Sequence, residues 1–192
     1  YGVVMPWMNN GIHPDEHFMP ESFQAAGYQT AMVGKWHLGH SQETFHPNSR
    51  GFDDFYGHMH TEVGYFPPFA NQGGVDFQRN GVTITDEGYE TFLLADEASR
   101  WIENRNTEKP FFLYMPFIAP HTPLEAPEDL VKKYSDLEDL RVPTRSASVD
   151  RIRSLSSTPS ARPIYAAVVD ALDQAIGQVL STLESEGIDE ET

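Results

Sequence analysis

The chain has 192 residues, 39% of them hydrophobic and 12% aromatic, which suits one domain with a buried core. Its formal charge of −16 at pH 7 excludes the basic footprint that broad nucleic-acid binding requires; its simplest consequence is solubility. The absence of cysteine excludes disulfides and thiolate metal sites but leaves the compartment open, and no apolar run approaches the ~20 residues of a membrane span.

The first residues, Tyr-Gly-Val-Val-Met-Pro-Trp, carry neither the basic nor the apolar region of a signal peptide. Pro20 and Glu21 mark the first turn of a short helix, and Gly27 lies just past its end. Residues 30–33 are short, apolar and partly β-branched, which predicts a buried strand. Gly34 permits a sharp turn or a close approach, and Lys35 and His37 then fall at the carboxyl end of that strand, where open α/β sheets hold ligands. Residues 39–83 are rich in Gly, Pro, His and aromatics, which predicts a long irregular excursion with short strands and a hairpin turn over 78–82. Within it, Arg50-Gly51-Phe52-Asp53 reads as a structural turn near the site.

Residues 89–104 predict a helix with Leu94, Ala98, Trp101 and Ile102 on one face. Pro110 breaks the pattern, and 111–117 reads as a central strand buried on both faces, leading into Pro120-His121-Thr122-Pro123. Pro127, Glu128 and Asp129 open another short helix. Residues 135–163 read as a flexible loop. Its arginines, with Arg141, Arg145, Arg151, Arg153 and Arg162 in this region, form either a solvated surface or a basic lip for an anionic substrate. Residues 164–186 make the clearest helix, with an apolar stripe from Ile164 through Val168, Leu172, Ala175 and Val179 to Leu183 and a stop at Gly187. Asp170 and Asp173 are expected to face solvent or cap a neighbouring loop.

Alternating strands and helices predict an α/β layered fold with a largely parallel sheet and helices on both faces. Right-handed crossovers would bring the ends of the 30–33 and 111–117 strands to one edge, and with them Lys35, His37 and His121. A lysine beside a titratable imidazole suits an anionic substrate that also needs a proton moved. The flanking prolines restrict the backbone at His121. Histidines 37, 40, 46, 58 and 60 also invite a metal reading, but no carboxylate ligand pattern accompanies them.

The segment from Gly27 to Gly39, containing Gly34-Lys35-Trp36-His37-Leu38-Gly39, resembles the second signature of the sulfatase family. The resemblance continues through Arg50-Gly51-Phe52-Asp53, Phe55-Tyr56-Gly57, Lys109-Pro110-Phe111-Phe112-Leu113-Tyr114 and Ala119-Pro120-His121-Thr122-Pro123-Leu124, and returns from Tyr165 to Asp173. These blocks keep the family's order, in the manner of its arylsulfatase B-like branch. The resemblance implies an alkaline-phosphatase-like fold and hydrolysis of sulfate esters. It implies that Lys35 contacts nucleophile, sulfate and metal, that His37 acts in acid–base steps, and that His121 binds sulfate and helps protonate the leaving alcohol.

It further implies a formylglycine made from a Cys/Ser-x-Pro-x-Arg motif and a Ca²⁺ held by an Asp pair and an Asp-Asn pair. None of these is recognisable here. The expectation is therefore that residues 1–192 are the central part of one catalytic domain, inactive alone, whose nucleophile and main metal ligands lie outside the chain. A phosphodiesterase or phosphonate hydrolase of the same superfamily and a non-catalytic remnant that binds anions or sulfated glycans are the alternatives. The expected partner is a sulfated small molecule or polysaccharide, not nucleic acid. The compartment expected from the family is the periplasm, the lysosome or the exterior.

Overall fold

The computed structural model describes residues 8–60, 63–71, 74–137 and 161–192. Helix α1 (Met19–Ala25) starts with Pro20 in its first turn, and the Glu21 carboxylate reaches back to the Phe18 N–H. Gly27 ends it with φ 89°, and strand β1 (Gln29–Lys35) follows, buried at every position between its ends. Next come β2 (Asp54–His58), the short strands β3 (Ala70–Asn71), β4 (Gly74–Val75), β5 (Gln78–Arg79) and β6 (Val82–Thr83), and helix α2 (Glu90–Glu103). Strand β7 (Phe111–Tyr114), helix α3 (Glu128–Lys133) and the long helix α4 (Ala161–Ser185) follow, and short 3-10 turns lie at Glu43–Phe45, Pro47–Arg50 and Asp189–Glu191.

The main sheet has the order β6-β5-β2-β1-β7. Its centre is parallel: β1 pairs with β2, including Lys35 opposite His58, and with β7, including Gln29 opposite Phe111. Strands β5 and β6 extend it antiparallel through the Asn80-Gly81 turn, where both residues have positive φ, as a two-residue hairpin requires. The sheet is thus mixed, and parallel only at its core.

Strand alternation sends neighbouring residues to different layers. Val33 and Tyr56 join Leu94, Ala98 and Ile102 of α2, with Ala175, Val179 and Leu183 of α4 packed behind them. Met32 and Phe55 join Trp36, Phe52 and Met59 on the other side, with Phe18 and Phe112 against them. Full burial of Leu94 and Ile102 contributes about 1.5–3 kcal/mol each. Between α2 and α4, Thr182 Oγ1 donates to Ser99 Oγ at 3.0 Å, so the tight crossing leaves no hydroxyl stranded. Gly187 closes α4 with φ 68°, and Ile188 N–H returns to Leu183 O at 3.1 Å.

Several expectations change. The 30–33 strand runs on to Lys35, so the lysine is its last residue. The 111–117 strand stops at Tyr114 and lies at an edge of the described sheet, half-buried, with Tyr114 exposed. Pro116 cannot extend the ladder, and Phe117 N–H turns back to Met115 O. Arg50 is structural as expected, buried and donating to the carbonyls of His13, Pro14 and Glu16. Its turn, however, lies at the amino end of the strands: Thr30 Oγ1 donates to Gly51 O, and Asp53 accepts from Thr30 N–H. Of the 135–163 loop, residues 138–160, with Arg141, Arg145, Arg151 and Arg153, lie outside the described residues, while 161–163 already belong to α4. Asp170 does not point free into solvent: it ties α4 to α3 by accepting from Lys133 Nζ at 2.7 Å and Tyr134 OH at 3.1 Å.

Candidate active site

Two glycines side by side set the geometry of the sheet's carboxyl edge. Gly34 and Gly57 are register partners, and both have left-handed φ, 138° and 145°. A Cβ on Gly57 would lie 2.0 Å from Gly34 O, and one on Gly34 would lie 2.4 Å from Pro116 O. Three backbones therefore meet at a distance that only glycine allows. Beyond this point the chain is strapped to both neighbours in turn. Lys35 N–H donates to Pro116 O, Trp36 N–H to His58 O and His37 N–H to Met59 O, each at 2.9 Å. The buried Trp36 ring adds an Nε1–H bond to Phe45 O at 2.7 Å. His37 itself adopts φ 62°, a left-handed conformation uncommon outside glycine and found disproportionately where function requires it.

One histidine–carboxylate pair, His60–Asp76, holds the segment that carries those carbonyls, and a second, His58–Glu90, is buried beside it without a hydrogen bond between its facing atoms. His58 and Glu90 are fully buried, with Nε2 and Oε1 3.4 Å apart, and His58 Nδ1–H donates to His60 O at 2.6 Å. Two residues on, His60 Nδ1–H donates to Asp76 at 2.7 Å, while Asp76 also accepts the N–H groups of Met59 and His60 at 3.0 and 2.9 Å. Burial alone would raise the Asp76 carboxyl; the His60 and Met59 hydrogen bonds outweigh it and hold the group below its ordinary range. The His40 ring lies 4.1 Å from that of His60, centre to centre. Burial and the neighbouring His60 push His40 downward, against a smaller pull from Asp76, and favour its neutral form.

His121 is exposed on the segment that follows β7. Its N–H donates to Ile118 O at 2.8 Å, and its Nδ1–H to Thr122 O at 2.6 Å, leaving Nε2 as the ring's other polar atom. The fully buried Tyr65 donates its hydroxyl to His121 O at 2.8 Å, and its own N–H goes to the Glu125 carboxylate at 2.8 Å. Burial, helped by Tyr89, Glu90 and Glu125, pushes the Tyr65 phenol well up, so it stays a donor. Tyr89 stacks on Tyr65 and donates to Glu125 O at 3.0 Å.

The parallel pairing thus brings Lys35, His37 and the segment leading to His121 to one edge of the sheet. Asp76, Glu90, Tyr65 and Glu125 escaped sequence reasoning because their partners are distant: His60 and Asp76 are 16 residues apart, Tyr65 and Glu125 are 60 apart. Among the described residues no three His, Asp or Glu side chains converge to hold a metal ion, so the described residues do not by themselves fit a Ca²⁺ site. A cleft of about 500 Å³ at the amino end carries Arg79, Arg100 and Arg105. Its cations are committed, Arg79 and Arg100 to Glu97 and Arg105 to Glu186, so it offers no ready anion site.

The chain matches the Sulfatase family over residues 1–192. It is 27% identical to an arylsulfatase of Klebsiella aerogenes, over 91% of this chain and 45% of that protein. It is 28% identical to N-acetylgalactosamine-6-sulfatase of Mus musculus, over 95% of this chain and 32% of that protein. The chain therefore spans less than half the length of these curated relatives. Its structure resembles that of Ps i-CgsB in complex with k-i-k-neocarrahexaose, with a TM-score of 0.78 and 27% identity over 96% of this chain and 40% of that one. It also resembles BT4656 in complex with D-glucosamine-2-N,6-O-disulfate, with a TM-score of 0.58 and 23% identity over 94% of this chain and 49% of that one, a likeness of fold alone. The order of its motifs, its sheet and the match along its whole length agree: the chain belongs to the sulfatase family.

Proposed function

We propose that this chain forms the central part, residues 1–192, of a sulfatase catalytic domain and supplies one wall of a sulfate-ester pocket. The complete enzyme hydrolyses a sulfate ester to an alcohol and sulfate. The observation that carries the reading is the strapping of Lys35, Trp36 and His37 to both neighbouring strands at the carboxyl edge. Lys35 supplies a compact positive charge for the sulfate oxygens. His37, fixed by its backbone, exchanges a proton with the attacking group as the intermediate collapses. His121, with Nδ1–H committed to Thr122 O, contacts sulfate and delivers a proton to the leaving oxygen through Nε2.

The formylglycine nucleophile and Ca²⁺ of the family's reaction are assigned to other parts of the enzyme. The substrate is a sulfated sugar or polysaccharide, a reading favoured by the saccharide complexes of two structural neighbours. The compartment proposed from the family is the periplasm, the lysosome or the exterior. Among the described residues no helix is long and apolar enough to cross a membrane.

The test titrates the 192-residue chain with inorganic sulfate, 4-methylumbelliferyl sulfate and 4-methylumbelliferyl phosphate. The sulfate ester is expected to bind, and Lys35→Ala to weaken it roughly tenfold, about 1.4 kcal/mol. Equal binding by Lys35→Ala would remove the anion site. Preference for the phosphate would favour a phosphodiesterase, and binding without turnover by the complete gene product would favour a non-catalytic remnant.

A further inference from the structure

We propose that Glu90 is a positioning residue that sets the spacing between His37 and His121, acting on the first of them through a proton it shares with His58. The proposal rests on the sulfatase reading and adds to it a residue that touches neither the sulfate nor the leaving oxygen. Glu90 opens α2 and is fully buried, as is His58 at the end of β2. A carboxylate is almost never buried this completely unless it is paired, so the position needs a reason.

Two connections lead from Glu90, one to each histidine. Its N–H donates to Tyr65 O at 2.8 Å, and the Tyr65 hydroxyl donates to His121 O at 2.8 Å. Its carboxylate faces His58, whose carbonyl accepts the Trp36 N–H; the next residue, Met59, accepts the His37 N–H. On this second route His58 Nε2 and Glu90 Oε1 lie 3.4 Å apart, and neither atom has a hydrogen-bond partner among the described residues. His58 Nδ1–H is engaged with His60 O, so a bond between Nε2 and Oε1 needs one further proton, carried by either atom. Two bare acceptors facing each other in the core would repel; one shared proton makes them attract and satisfies both. Lys35 N–H is held from the other side, by Pro116 O, so losing the pair displaces the two histidines more than the lysine that holds the anion.

The experiment has two arms. In the first, long-range proton–nitrogen NMR of the histidine rings in the 192-residue chain is expected to show a proton between His58 Nε2 and Glu90 that is protected from exchange. Glu90→Leu, which keeps a similar volume and removes the carboxylate, should erase it and shift the ring signals of both His37 and His121. Glu90→Gln, whose amide can donate to Nε2, should leave those two rings close to wild type. Ile102→Val, a small cavity on the core face of α2, controls for lost packing and should move neither. In the second arm, Glu90→Leu in the complete gene product should lower kcat on 4-methylumbelliferyl sulfate about tenfold and leave KM within about twofold of wild type, and Glu90→Gln should recover most of kcat.

The proposal falls if wild-type His58 shows no shared proton, a result that depends on no variant folding. It falls equally if Glu90→Leu leaves His37 or His121 unmoved, or if Glu90→Gln disturbs them as much as Glu90→Leu does. A KM that rises while kcat holds would put the loss in anion binding and overturn it as well. No turnover of any sulfate ester by the complete gene product would instead sink the sulfatase reading, and the NMR arm would separately decide whether Glu90 couples the two histidines.

Discussion

Replacing Gly57 by alanine tests whether close backbone approach shapes the candidate site. The new methyl would lie 2.0 Å from Gly34 O, 2.7 Å from Gly34 C and 2.9 Å from Gly34 N. Gly34 cannot move aside, because its own Cβ position is filled by Pro116 O. The variant therefore combines overpacking, about 1–3 kcal/mol, with a φ of 145° that costs an L-residue about 1–3 kcal/mol. A total loss of about 3–5 kcal/mol is expected, a large share of the ~5–15 kcal/mol of a typical domain. Gly27→Ala is the control, since φ there is 89° and nothing lies within 4 Å of the added methyl. It should lose only the backbone part, about 1–2 kcal/mol. Urea unfolding followed by circular dichroism gives both values. Equal losses would refute the claim that packing at Gly34 and Gly57 sets this edge.

Acidification should loosen the exit of β2. Because Asp76 is held below its ordinary value of about 4, its contribution is present above that pH and is lost as the pH falls through the lowered value. His40 is also lowered, so its share is present above about pH 6.5 and is lost as the pH falls through its own lowered value. The stability gap between wild type and Asp76→Asn should be widest near neutrality and close in acid; a gap that does not change with pH would count against the His60–Asp76 tie. Glu97→Ala leaves Arg79 and Arg100 facing each other without their shared carboxylate, and Arg79 over the Tyr56 ring. Both guanidinium groups are partly exposed, so the expected loss is about 1–2 kcal/mol, read from the urea midpoint.

Local physics made much of the fold legible. Pro20 and Gly27 bounded α1, the spacing of Leu94, Ala98 and Ile102 gave α2, and Asn80-Gly81 announced the hairpin between β5 and β6. Strand β2 was obscured because Asp-Phe-Tyr-Gly-His has no β-branched residue and contains a glycine that disfavours strands in general. Its reason for being there lies on β1, where Gly34 needs a partner without a side chain. The same limit applied to the site. Lys35, His37 and His121 stood out beside glycine and proline. The carboxylates and tyrosines that orient their segments are joined to them only by folding, and Asp76 and Glu90 look like ordinary charges in a chain that has 29 acidic residues.

The left-handed backbone of His37 narrows which replacements give interpretable results. Most side chains would disturb the main chain at this position as well as remove the imidazole, so lost activity in such variants would confuse shape with chemistry. Asparagine is one of the few other residues that readily occupies this region of φ/ψ space. His37→Asn is therefore the cleanest deletion of the ring, and a survey of tolerated residues here should rank substitutes by conformational fit before resemblance to histidine.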